Sequence, residues 1–326
     1  LCVQDHGFIY KVHNGRGKVG DKLTFQCFFN RQTAELLEQT MVNRLKLVVL
    51  FAMALVAFAG NSILNRYALL EPAIDPASFL VIRIVSGAVM LVLLVWLRSL
   101  FHRPQKQSHS KGSWWGALTL SWYAIAFSYA YVELQTGFGA LVLFTAVQLS
   151  MLAITLYQGT RLSRRELLGV IIAFGGFVYL LVPSMQLPSS LLAAVLMASA
   201  GVAWGFYSVH GRGRGFPLAN TAFNFVRAIP FVLLAFWWQA PDLIVSTDGV
   251  MLAMISGAIT SGVGYAIWYL VLPRITVTTA AIGQLLVPLI AALGGVLFAH
   301  EVLTMHLLIA AVAILGGILV VVLKRT

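Results

Sequence analysis

The stretch TGFGALVLFTAVQLSMLAITLYQGTRLSRRELLGVIIAFGGFVYLLV, from Thr136 to Val182, lies without a gap over TVTTAAIGQLLVPLIAALGGVLFAHEVLTMHLLIAAVAILGGILVVV, from Thr276 to Val322, at a constant offset of 140. Nine positions coincide: Thr136, Ala140, Val147, Leu149, Leu167, Leu168, Ala173, Gly176 and Val182 with their partners. These are residue types that any membrane helix favours, so the identities carry little weight by themselves. The shared order carries more: a long apolar run, a short polar break and a second apolar run recur in register. The chain reads as a duplicated helical membrane unit.

Composition agrees. Sixty per cent of the 326 residues are hydrophobic, 10% are charged, and the mean hydropathy is +0.87. A soluble domain carries about a quarter charged residues, so this is an all-α, polytopic membrane protein. The net charge of +11 is no sign of nucleic acid, because the basic residues sit in short breaks between apolar runs, where the positive-inside rule places them. Both cysteines, Cys2 and Cys27, precede the first span, which excludes a thiolate metal site or a disulfide framework within the membrane region.

Residues 1–40 have scattered charges, no apolar run and no clear period. Met41, followed by Arg44, Lys46 and a long apolar run, reads as a start fused to translated upstream sequence, or else 1–40 is a cytoplasmic tail. The run continues to Leu64 without a small-residue cleavage site, so it is a retained span rather than a signal peptide.

About 20 apolar residues cross a bilayer, and ten such runs are expected, near 47–68, 77–97, 113–132, 137–159, 166–183, 189–209, 217–238, 249–270, 276–299 and 304–323. With a cytoplasmic N-terminus, the inner breaks hold Arg98, Arg103, Lys106, Lys111, Arg161, Arg164, Arg165, Arg212, Arg214, Arg274, Lys324 and Arg325. The outer breaks hold Glu71, Asp75, Glu133, Asp242, Asp248 and Glu301, with Arg66 the one nearby base. Both termini are then cytoplasmic, in a cytoplasmic (inner) membrane. Five spans per half is odd, so the halves, 41–183 and 184–326, enter from opposite sides as inverted repeats.

Three passages carry a family likeness: AGNSILNRYALLEPAIDPASFLVIRIVSGAVML with Pro76 and Arg83, AWGFYSVHGRGRGFPLANTAFNFVRAIPF with Pro217 and Arg227, and YAIWYLVLPRITVTTAAIGQLLVPLIAALGGVLFAHEVL with Pro288 and Glu301. From Met41 onward the chain resembles EamA-type members of the drug/metabolite transporter superfamily. The resemblance implies ten helices in two five-helix repeats and a small-molecule substrate. In the first half Gln148 stands where the second has Pro288, and Thr160 or Arg161 where it has Glu301.

Polar residues within the spans are the candidates for substrate contact. An arginine at a helix centre costs at least ~2.5 kcal/mol. Arg83 lies about 9 Å into the second span at 1.5 Å per residue and is close enough to the surface to snorkel. Arg227 lies deeper and shares a face with Asn220 and Asn224 at i, i+4, i+7 spacing, which makes it the leading candidate. Asn61 and Asn65 share a face of the first span, and Gln148, Met151, Thr155 and Gln158 one of the fourth. Trp115, Thr119, Trp122 and Tyr129 form an aromatic stripe on the third, whereas Trp114 and Trp115 read as interfacial anchors. Ser261, Tyr265 and Trp268 lie on the eighth. On the ninth, Gln284 precedes Pro288, where a proline frees a carbonyl for a ligand or kinks the helix. Gly175 and Gly176, Gly294 and Gly295, and Gly316 and Gly317 permit close helix contact.

The charge inventory narrows the substrate. The spans hold no deep Asp or Glu, which disfavours export of lipophilic cations and leaves proton coupling without a carrier. No lysine occurs between Lys111 and Lys324, which counts against sugar-phosphate exchange. Two arginines among Asn, Gln and aromatic residues suit an amino-acid-like or other carboxylate-bearing or zwitterionic metabolite. HEVLTMH, from His300 to His306, lacks HExxH spacing, and HGRGRG at His210 to Gly215 lacks the P-loop lysine. No catalytic residue, metal site or cofactor is expected. The expected function is a secondary transporter, an exporter working by alternating access on a small-molecule substrate within the lipid bilayer. The coupling ion and a homodimer stay open. The alternatives are a membrane sensor or assembly partner that kept the fold, or a drug efflux protein.

Overall fold

A computed structural model describes residues 20–70, 73–101, 112–157, 159, 163–181, 188–211, 216–238, 243–275 and 283–323. The chain divides into two compact units, Leu1–Leu50 and Phe51–Thr326. The helices are α1 (Gly20–Leu70), α2 (Pro76–Phe101), α3 (Trp114–Glu133), α4 (Thr136–Tyr157), α5 (Arg164–Leu181), α6 (Pro188–Gly211) and α7 (Pro217–Trp238). The eighth rod is composite: α8 (Thr247–Ile255), a π-helical segment (Ser256–Val263) and α9 (Gly264–Val271). The ninth and tenth are α10 (Leu286–Phe298) and α11 (Met305–Leu323).

The described residues thus form ten helical rods at the expected positions, with two departures. Helix α1 begins at Gly20, inside the segment expected to lack periodic structure. A helix needs no apolar stripe where a neighbouring membrane span nucleates it, since propagation is far easier than initiation. The ninth rod is the second departure. Only 13 residues long, α10 is broken from the helical Gly283 and Gln284 by a turn at Leu285. Pro288 therefore sits in the first turn of α10, where its missing N–H would have had no partner anyway, rather than kinking the middle of a span. By length and apolarity, six helices among the described residues are able to cross a bilayer, and Leu286–Phe298 and Met305–Val320 are shorter apolar helices. The protein is a multi-pass, all-helical membrane protein.

Packing joins helices far apart in the chain. Helix α5 lies along α11, α2 along α7, and α4 along α10; α3 and α4 pack on α6, α2 on the π segment and α3 on α7. Small residues make these approaches close. A Cβ on Gly317 would lie 2.6 Å from the backbone of Gly169 and Ala173, and one on Gly176 2.8 Å from Ala313, whereas Gly175 and Gly316 face open space. The expected role in helix contact thus belongs to one glycine of each of these two pairs.

Contacts between loops define the two ends of the bundle. At one end, the backbone of Asp75 donates to Ile244 and that of Ser246 to Ala73, both at 2.8 Å, in an isolated antiparallel bridge between Ile74 and Val245. The Asp75 carboxylate also accepts from the Ser78 and Ile244 amides. The same end carries Glu301, which accepts from the Thr136 amide and hydroxyl and pairs with Arg66 at 3.4 Å. At the opposite end, the start of α3 is held by α7, as described below.

Candidate functional site

The centre of the bundle contains a small cavity walled by Phe58 and Asn61 of α1, Tyr123 and Phe127 of α3, Trp204 of α6 and Tyr265 of α9, with Ser62, Leu143 and Phe144 completing it. It has room for roughly one or two water molecules. Its aromatic side chains touch one another: the Trp204 ring centroid lies 4.9 Å from Tyr123, 5.2 Å from Tyr265 and 5.3 Å from Tyr207, and Phe58 meets Tyr265 edge to face.

Arg83 lies directly behind this wall. It is only 1% exposed and is the largest fully buried side chain among the described residues. Its guanidinium packs over Phe127 at 4.9 Å and Tyr123 at 5.8 Å, a favourable cation–π arrangement. Nε donates to Ser261 Oγ at 3.3 Å, and Nη2 donates to Tyr123 Oη at 3.4 Å. Nη1 is buried without a hydrogen-bond partner. No carboxylate among the described residues pairs with it. Snorkelling, an expectation from its position in the sequence, is therefore excluded: the head group is enclosed by Tyr123 and Phe127 of α3 and by Ser261 of the π segment.

The π segment makes this contact possible. A Cβ on Gly257 would overlap the Arg83 carbonyl, so only glycine lets the two backbones meet here. The widened turn presents Ser256, Thr260 and Ser261 together, and all three hydroxyls lie 2.6–3.1 Å from Asn61 Oδ1. π-helical turns are often found at functional sites. One chain of polar contacts runs from Arg83 through Ser261 to Asn61.

Of the residues singled out in the sequence, Asn61 and Tyr265 line this cavity and Arg83 stands behind it. Trp268 is buried against Phe58 and Phe51. Asn65 ties α1 to α3 through Ser128 at 3.0 Å. Gln148 reaches Gln284 across α4 and the start of the ninth rod, at the long distance of 3.5 Å. Trp122 is 48% exposed and donates to Ser199, so it lies on the outer face of α3.

Asn220 and Asn224 lie at the other end. Asn224 Oδ1 accepts from the Ser113 amide at 2.8 Å and Asn220 Oδ1 from the Gly112 amide at 3.3 Å, where Ser113 caps α3. They border a second cleft with Tyr207, Thr221 and Tyr269. Arg227, expected to be the deepest charge, is only partly buried and stacks over Trp114 at 5.3 Å. Burial thus singles out the other arginine: Arg83, not Arg227, is enclosed within the protein.

Tyr123, Phe127, Trp204 and Tyr207 were not singled out in the sequence. A signal was present on α3, where Tyr123, Phe127 and Tyr131 repeat every four residues among Ala117, Ala124 and Ala130. Small residues mark the packed face of a membrane helix, and the stripe through Trp115 and Trp122 is the opposite, exposed one.

Comparison with known proteins places this architecture. Residues 191–323 match the EamA-like transporter family. The chain is 46% identical over 281 residues to an uncharacterized protein of Pseudomonas aeruginosa, covering 85% of this chain and 95% of that one. It is 24% identical over 218 residues to an uncharacterized transporter of Archaeoglobus fulgidus, covering 64% and 76%. A solved crystal structure superposes with a TM-score of 0.60 at 17% identity over 86% of this chain and 98% of that one, which speaks to the fold alone. The apolar helices, their order and these likenesses agree: this chain belongs to the EamA-like transporter family, within the drug/metabolite transporter superfamily.

Proposed function

We propose that this protein is a secondary transporter that moves small organic metabolites, amino-acid-like or other carboxylate-bearing or zwitterionic compounds, outward across the cytoplasmic membrane. Both termini are cytoplasmic, and transport proceeds by alternating access between two inverted five-helix repeats, 41–183 and 184–326. The observation that carries this reading is Arg83. A buried cation without a protein counter-ion is expensive to keep, and an anionic ligand entering the adjoining cavity supplies the missing charge. Asn61, Tyr265 and Arg83 form the substrate site. Asn220, Asn224, Gln148 and Gln284 line the approaches.

Helix pairing supports the inverted repeats. A two-fold exchange of the halves maps span 2 onto 7, 4 onto 9 and 5 onto 10, and each of these pairs is in contact. It also turns the contact of span 2 with span 8 into that of span 7 with span 3, and both are present. Inverted repeats of this kind place a substrate site at their interface near the bilayer midplane. The cavity is too small here for an organic ligand, so loading requires the aromatic wall to part.

The test is counterflow. Proteoliposomes loaded with a mixture of amino acids and organic acids are diluted into isotope-labelled solutes, and exchange is followed by mass spectrometry. Exchange of at least one carboxylate-bearing solute above that of empty vesicles is expected. No exchange of any solute would leave a sensor or assembly role as the better reading.

A further inference from the structure

Resting on that transporter reading, the geometry points to a narrower ligand: a monoanion whose single carboxylate is held at Arg83 and whose flat, apolar body stacks within the aromatic wall, rather than a zwitterion or a cation. Three observations carry this. First, among the described residues the site has one charge and no counter-charge. The acidic side chains whose partners are known are engaged elsewhere: Asp75 with the Ser78 and Ile244 amides, Glu166 with the Ser163 amide, and Glu301 with Thr136 and Arg66. Glu133 and Asp248 lie at helix ends. An ammonium brought into the cavity would meet a guanidinium and no carboxylate.

Second, the amide oxygen nearest to hand is already used. Asn61 Oδ1 has two lone pairs and three hydroxyl groups within 3.1 Å, so it has no capacity left for the donors of an ammonium group. The buried atoms without a hydrogen-bond partner at the site are Arg83 Nη1, a charged donor, and Ser62 Oγ, a neutral hydroxyl that can donate or accept. The charged donor is the stronger of the two and favours an anionic acceptor. One cation also matches one negative charge, which disfavours dianionic phosphate esters.

Third, most of the remaining lining is aromatic. Phe58, Tyr123, Phe127, Trp204 and Tyr265 present rings to the cavity, and rings favour offset or edge-to-face contact with a planar apolar group. Such a body enters without stranding polar atoms.

The experiment uses the full chain in detergent and four probes sharing one phenyl group: 3-phenylpropionate, its neutral amide, phenylalanine and phenethylamine. Binding is read by thermal shift and by displacement of labelled 3-phenylpropionate. We expect 3-phenylpropionate to bind at least tenfold more tightly than each of the other three. Phenylalanine binding as tightly as 3-phenylpropionate, or the amide matching the acid, would overturn the inference. In a protein carrying Arg83→Gln the preference for acid over amide is expected to fall to about one, while Arg83→Lys keeps part of it. Should Arg83→Gln fail to fold, the probe series on the unaltered protein still decides. Mixed-solute exchange that persists while none of the probes binds would refute this ligand class and leave the transporter reading standing. Absence of both would remove both.

Discussion

Glu301 and Thr136, 165 positions apart, meet so closely that both carboxylate oxygens lie 2.8 Å from the Thr136 amide and one lies 3.0 Å from its hydroxyl. The carboxylate caps the N-terminus of α4, where unpaired amides and the helix dipole favour negative charge, and it anchors Arg66 as well. Arg66 in turn donates to the carbonyls of Tyr131 and Val132 at the end of α3. Glu301→Ala is expected to remove a charge-assisted contact worth about 1.5–3 kcal/mol and to lower the melting temperature in detergent. Glu301→Gln, which keeps an acceptor oxygen, should lose less than Glu301→Ala. Equal melting of all three proteins would show that the cap contributes nothing.

The second expectation concerns the two arginines. Arg83→Gln should weaken binding of a carboxylate ligand at least tenfold, about 1.4 kcal/mol. Arg227→Gln should change that binding less than twofold, since Arg227 stacks on Trp114 away from the central cavity. Isothermal titration of both variants measures the difference. An Arg227 variant that loses more affinity than the Arg83 variant would restore the order of importance suggested by depth in the sequence.

Asn224 yields a third. Its Oδ1 receives the Ser113 amide at the start of α3, so Asn224→Leu strands that donor. The expected cost is about 1–3 kcal/mol, accompanied by faster hydrogen exchange at Gly112 and Ser113. Unchanged exchange at both amides would argue against this tie.

Topology supplies a fourth. Single cysteines at Ala73 and Thr247 should label from outside the cell, and those at Ser108 and Gly213 from the cytoplasm, with a membrane-impermeant maleimide as the probe. Hydrogen bonding of Ala73 to Ser246 already puts the first two sites at one end of the bundle; Ser108 and Gly213 lie outside the described residues. Labelling of Ala73 and Thr247 from opposite sides would exclude the ten-span arrangement.

The helices were legible because a span must satisfy its own backbone and hide it in apolar side chains, which leaves runs that need no neighbour to be recognised. Irregular backbone was not. Nothing in SGAITSGV, residues 256–263, separates a π turn from a small-residue α-helix; the difference lies in how Gly257 meets Arg83 and how three hydroxyls reach Asn61. The spacing of Asn220 and Asn224 correctly placed them on one face, yet spacing cannot say what the face meets, and it meets the capped end of α3. Burial was hidden for the same reason. Counting residues from a helix end says nothing of what encloses Arg83, which is Tyr123 and Phe127 of α3 and Ser261 of the π segment.

The two ties at the Glu301 end differ in kind. The link between the loops at Ile74 and Val245 is made of main-chain hydrogen bonds, whose donors and acceptors travel with the backbone itself. Around Glu301 the link is one side chain, which rotamer changes alone can release. A change of side-chain rotamer is therefore enough to free the start of α4 from the turn between α10 and α11, while the entries to α2 and α8 stay joined through their main chains.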